Sequence, residues 1–205
     1  MKLYHGSPFL FKSFSLNALA EGSGVKFGAG VYLTESFDTA VRYSAPRNMT
    51  SERHYVYTVE VPDKTELNYL PYPAPVQTEI VARIEAYLNE EIPEFVKARG
   101  KLLRKYLAHR LAGVPKENLL KESRVEEETT LEGEKKASQI LLEVGVAYIE
   151  WPNGSWSKYP NCIKNIAVMD PGVINVVKIE EIDRQKKGSK YIAVSRKDVT
   201  DEVKD

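Results

Sequence analysis

The chain has 205 residues, and its 29 Lys plus Arg balance 29 Asp plus Glu, so the formal net charge is zero. A hydrophobic fraction of 42% with 28% charged residues describes one globular domain with a sizeable core. It excludes a disordered chain and a globally basic nucleic-acid binder, although a local basic groove stays open. The only cysteine, Cys162, rules out an intrachain disulfide and points to a reducing, cytoplasmic setting. The N-terminal apolar run breaks at His5-Gly6-Ser7-Pro8, too early for a signal peptide, and no stretch reads as a membrane span.

In chain order, Leu3-Tyr4-His5-Gly6-Ser7 carries a strand over 2–5 that ends in small polar residues. Phe27-Gly28-Ala29-Gly30-Val31-Tyr32-Leu33-Thr34 carries a second over 30–34, with Gly28 and Gly30 turning the chain into it. Ser36-Phe37-Asp38-Thr39-Ala40-Val41-Arg42-Tyr43-Ser44 reads as one or two amphipathic helical turns. A strand over 54–61 is rich in β-branched and aromatic residues and closes at Pro62-Asp63. Residues 70–75, with three prolines, read as a stiff extended connector.

There the period changes. Ile80, Ile84, Tyr87 and Leu88 share one helix face, Pro93 interrupts, and Leu102, Leu103, Tyr106, Leu107 and Leu111 share the next. A third helix covers 132–144 and stops at Gly145. Strands return over 146–151, 163–170, 173–182 and 191–195, before a frayed tail from Lys197. Asn153-Gly154-Ser155 reads as a turn between strands, with Trp151 and Trp156 packing across it or lining a base-stacking surface. The basic stretch 184–190 reads as a solvated loop able to attract phosphates. The expected whole is a single α+β domain over 1–205 with a mainly helical insertion at about 76–144.

The His-Gly-Ser strand end, the Gly-x-Gly-x-Tyr segment and the following helix with Ala40 and Tyr43 together resemble the catalytic core of the ADP-ribosyltransferases. The similarity is to the branch of the poly(ADP-ribose) polymerases and diphtheria toxin, and it covers the first third of the chain well. The resemblance implies a split mixed β-sheet core that grips NAD through His5, Gly6, Ser7, Gly30, Tyr32 and Tyr43, with no metal. It implies a small phage or bacterial mono-ADP-ribosyltransferase, a toxin-type effector that cleaves NAD and passes ADP-ribose to a protein or nucleic acid. NAD hydrolysis, or a degenerate module that binds NAD or engages a protein without chemistry, are the alternatives. The residue chemistry agrees. A glycine lets backbone approach a carboxamide, a tyrosine offers a ring to nicotinamide, and an imidazole can bond a ribose hydroxyl.

The same resemblance calls for a carboxylate that favours positive charge developing on the sugar carbon. In the polymerases it lies at the start of a late strand, and here Asn165 or Ile166 falls there, which counts against polymer formation. In some small phage and bacterial members of the superfamily it lies before a helix that leads into a Gly-hydrophobic strand. That assigns catalysis to Glu132 beside His5 and Tyr32, with Glu134 and Glu150 as alternatives. The plainer reading of 132–134 is a solvated acidic helix start beside Lys135 and Lys136. His54 and His109 lack partners at ligand spacing, so no metal site is expected.

Overall fold

Strand-forming runs at both ends of the chain close on each other, and the helices between them fill the space above one half of the resulting sheet. The computed structural model describes residues 1–16, 25–45, 53–188 and 190–203. Its strands are β1 (Lys2–Ser7), β2 (Val31–Thr34), β3 (Tyr55–Glu60), β4 (Tyr69–Pro71), β5 (Tyr148–Pro152), β6 (Lys164–Val168), β7 (Asn175–Lys187) and β8 (Lys190–Asp198). They form one sheet in the order β4-β5-β6-β2-β1-β3-β7-β8, antiparallel except for the β4–β5 pair. The fold is thus α+β, as expected.

Three stretches differ from the sequence reading. Residues 184–187, read as part of a solvated basic loop, continue β7 and pair with β8, because the charged residues sit on an exposed two-stranded edge. The proline-rich connector contributes strand β4, which is tolerable because β4 lies at the sheet edge, where Pro71 leaves no ladder bond unmade. The C-terminal tail is not frayed from Lys197. β8 runs to Asp198, Val199 is buried in the core, and a 3-10 turn follows over Thr200–Val203.

Helix α1 (Phe37–Tyr43) starts at Ser36, whose hydroxyl accepts from the Thr39 amide at 3.2 Å. It lies directly on β1 because residue 6 has no side chain. A Cβ on Gly6 would sit 1.9 Å from the Ala40 carbonyl oxygen. Five further helices, α2 (Thr78–Leu88), α3 (Glu94–Lys97), α4 (Gly100–Leu111), α5 (Glu122–Val125) and α6 (Leu131–Glu143), connect β4 to its parallel neighbour β5. A parallel pair requires such a crossover. Among the described residues, no helix is long and apolar enough to cross a membrane.

Three apolar clusters follow from this layering. Leu3, Leu33, Tyr57, Ile166 and Ile179 pack together on one face of the sheet. On the other face, Ile149, Trp151 and Ala167 meet the helical block through Leu103, Leu107 and Leu141. Ala40 and Val41 of α1 instead cover Val56 and Ile182. The two covers on that second face belong to separate clusters, and the gap between them lies over β1 and β2. There the sheet is also weakest. β1 meets β2 only at Tyr4–Thr34, whereas it pairs with β3 from Lys2–Glu60 through Ser7–Tyr55.

Candidate functional site

Beyond the Tyr4–Thr34 pair, β1 and β2 part, and the Tyr32 carbonyl loses the strand partner it would otherwise have. The His5 side chain takes that place, with Nδ1 at 2.9 Å from the Tyr32 oxygen. A carbonyl only accepts, so Nδ1 carries the proton and Nε2 is left as an acceptor. Burial pushes the imidazole below its ordinary pKa, outweighing the opposing effect of the bond to Tyr32, so the ring is neutral. Phe14 and Phe11 meet the ring edge-on at 5.1 and 6.1 Å.

A cavity of about 330 Å³ opens at this divergence. Tyr4, His5 and Gly6 line it from β1, and Tyr32, Leu33 and Thr34 from β2. Ala40 and Tyr43 of α1 close one side, while Lys26, Phe27, Trp151 and Asn165 close the other. A second cavity of about 510 Å³ shares His5 and Tyr32 and is lined by Ser7, Gly30 and the Phe9, Phe11 and Phe14 side of the following loop. That loop is pinned by Tyr57, whose hydroxyl accepts from the Phe11 amide at 2.6 Å and whose ring stacks on Phe11. Burial pushes the Tyr57 phenol up to about 12.

Tyr32 is more constrained than an open stacking platform. Its hydroxyl accepts from the Phe27 amide at 2.8 Å and donates to the Gly28 carbonyl at 3.0 Å. Burial pushes its pKa far above the usual phenol range, against the Phe27 bond and the nearby Arg104 charge. The ring meets Trp151 edge-on at 5.2 Å, and Phe27 stacks flat on Trp151 at 4.1 Å. Trp151 and Trp156 therefore do not pack across a hairpin. Trp156 lies in a 3-10 turn, half-exposed, with its ring against Tyr72. The two glycines also divide their roles. Gly28 has φ of +107° and makes the turn, whereas Gly30 lets the chain pass within 2.9 Å (Cβ position to oxygen) of the Val168 carbonyl.

The structure thus brings His5, Gly6, Tyr32 and Tyr43 to one cavity and Ser7 and Gly30 to its neighbour. The Ser7 hydroxyl accepts from the Phe9 amide at 3.0 Å. It does not bring the three glutamates there. Glu132 lies in the first turn of α6 with a side chain 69% exposed and an ion pair to Lys136. Glu134 is buried against Arg104 and accepts from the Thr129 hydroxyl. Glu150 points to the face opposite its neighbour Trp151, where it pairs with Lys64 and accepts from the Tyr159 hydroxyl. Among the described residues, none of those lining the two cavities is acidic, and Lys26 carries the one formal charge.

Asn165 is the residue whose place only the structure settles. In register it lies beside Thr34 on β2 and Trp151 on β5, and it lines the first cavity, whereas Ile166 turns into the core. It is 7% exposed, and its Oδ1 has no hydrogen-bond partner. The signal for it in the sequence is weak, because Asn165 follows Lys164 at the polar start of the strand rather than interrupting an apolar run. No group of three or more His, Cys, Asp or Glu suited to a metal occurs among the described residues. Comparison of the chain with protein-family models, curated proteins and solved structures gave no match.

Proposed function

We propose that the cleft between β1 and β2 binds NAD and that the chain is a mono-ADP-ribosyltransferase acting on a macromolecular acceptor. The observation that carries this reading is the His5 Nδ1 bond to the Tyr32 carbonyl at the single-pair junction of the sheet. It joins the two motif residues in one cavity and leaves a neutral imidazole acceptor for a ribose hydroxyl. Tyr32, Tyr43 and Trp151 supply aromatic surface for nicotinamide, and Lys26 supplies a cation for the diphosphate. In the reaction the bond from ribose C1′ to the nicotinamide nitrogen breaks, and its electron pair leaves with nicotinamide. An acceptor nucleophile then bonds C1′ and gives up its proton. An aromatic cleft that excludes water favours transfer over hydrolysis.

A second reading, an NAD-binding module without turnover, is favoured by one observation: no carboxylate lines the cleft among the described residues. Incubating the purified chain with NAD labelled in its adenylate, with and without cell lysate, separates the readings. Label on protein or nucleic acid with matching nicotinamide release supports transfer. Free ADP-ribose supports hydrolysis, binding without release supports the module, and no binding rejects all three.

A further inference from the structure

The basic end of the β7–β8 hairpin lies beside α1, and NAD binding makes no use of it. Arg184 and Lys186 stand opposite Ala193 and Tyr191 in the ladder, so they share the side of the sheet on which α1 packs. Arg184 reaches α1 itself, with Nη1 3.5 Å from the Arg42 carbonyl oxygen. Arg42 and Tyr43 form the exposed end of α1, and Tyr43 lines the first cavity. A cationic strip thus runs from the cleft rim over Arg42, Arg184 and Lys186 to Lys187 and Lys190 at the hairpin end. The acidic residues of the hairpin are engaged elsewhere. Glu180 is held by Lys178 and Arg196, Glu181 pairs with Arg53, and Asp183 accepts from the Ser195 hydroxyl. Asp38 is the one carboxylate of α1. Rings are interleaved with the cations: Arg42 lies over Tyr43 at 5.9 Å and Arg184 over Tyr191 at 4.5 Å. Tyr43 is nonetheless 56% exposed.

Five cations on one strip attract a polyanion, and tyrosine rings among them favour one with flat faces to stack. An acidic peptide uses the charge but not the rings, and a duplex keeps its bases stacked on one another. We propose that this face binds single-stranded nucleic acid and leads it to the cleft as the acceptor of ADP-ribose. The acceptor role rests on the NAD reading of the cleft and deepens it, whereas binding to the face does not depend on it. In that role a nitrogen or oxygen of the strand bonds ribose C1′ as the bond to nicotinamide breaks. The electron pair leaves with nicotinamide, and the proton of the attacking group passes to water. The zero formal net charge of the chain confines the attraction to this one face.

Fluorescence anisotropy of a labelled 20-nucleotide single-stranded DNA, and of the RNA of the same sequence, mixed with the intact chain tests the surface. At least one should bind, and its affinity should fall by about tenfold or more between 50 and 200 mM salt, the scale of three or more neutralised phosphates. Lys186→Glu, Lys187→Glu and Lys190→Glu combined should weaken binding by about tenfold or more. NAD affinity should stay as in wild type, because none of the three lines either cavity. No binding of either strand overturns the proposal and leaves the NAD reading intact. So does a triple variant that binds as wild type does, or a duplex or polyglutamate bound as tightly as the single strand. Should the triple variant fail to fold, the comparison of single strand with duplex and polyglutamate decides. NAD labelled in its adenylate then tests the acceptor role: label on the bound strand supports it, and a strand left unlabelled overturns it. Strand binding without NAD binding overturns the NAD reading, and the acceptor role with it, and leaves the surface standing.

Discussion

The two halves of the sheet are built from different material. In β4-β5-β6-β2 the strands lie under the helical block, and every residue of β5 is buried. In β1-β3-β7-β8 the helical cover is one seven-residue helix, and most of β8 is exposed. The first half is held by apolar burial from both sides; in the second, β3 is still buried, but toward β7 and β8 the sheet thins to backbone ladders and rim ion pairs such as Arg196 and Lys178 with Glu180. A seam between unlike halves need not be tightly paired, and here it is held by one residue pair and one imidazole. The cleft sits where neither cover reaches, so its geometry depends on both.

Substitutions in each half should break this comparison in different ways. The largest loss should come from Glu134→Ala. Arg104 is 2% exposed and would keep a buried charge without its partner, costing about 3–5 kcal/mol in denaturant unfolding. A loss below 1 kcal/mol would mean that the helical block is not the rigid side of the seam. Gly6→Ala forces α1 off β1, because the new Cβ meets the backbone of Ala40 and Ser44. The expected cost is about 1–3 kcal/mol, together with a measurable fall in NAD affinity as α1 shifts. Unchanged stability would show that α1 is loosely seated.

Tyr32→Phe removes the hydroxyl that ties the Phe27 amide and Gly28 carbonyl, so it should cost about 1 kcal/mol in stability. Because this pair holds the Lys26–Phe27 wall, NAD affinity should fall as well, even though the ring survives. Affinity equal to wild type would show that the wall is held by stacking alone. Arg196→Ala, in the exposed half, should cost no more than about 1 kcal/mol, since Lys178 still pairs Glu180 and the guanidinium is half-exposed. A larger loss in thermal unfolding would make the rim network as important as the core.

The smallest effect is a pH slope at the seam. The pKa of His5 in the folded chain lies below its ordinary value of 6.5, so the unfolded chain takes up the proton first as pH falls. Its contribution is therefore flat above about pH 6.5 and destabilises the fold progressively below it. Melting temperatures of wild type and His5→Gln compared from pH 7.5 to 5.5 isolate this share, since the other two histidines are common to both. Parallel curves would show that His5 is not the neutral link described. Affinity for NAD should fall only at still lower pH, around the depressed pKa of the folded chain, because a protonated Nε2 cannot accept a ribose hydroxyl.

Much of the fold is legible in the chain because it depends on local patterning. The β-branched run of 55–60, the glycine turn before Val31 and the 3.6-residue period after Thr78 each follow from side chains that must face a core. β4 was hidden because prolines read as connectors unless the strand is known to lie at an edge. β8 runs past its expected end because Arg196-Lys197-Asp198 is a charged, exposed run, where apolar burial gives little signal.

His5 and Tyr32 could be singled out as a pair in sequence, since short glycine-bearing motifs fix where backbone turns and which side chains follow. That Gly6 and Gly30 serve close packing, and that the Tyr32 hydroxyl is spent on its own wall, could not. The carboxylates mark the limit most clearly. By itself the sequence determined that Glu132, Glu134 and Glu150 flank a helix and a strand near the end of the helical block. Only the tertiary structure decided that one faces solvent, one is buried against Arg104, and one turns to the far face with Lys64. It likewise decided that Asn165 rather than Ile166 meets the cavity, because strand side chains alternate and register alone says which set faces in.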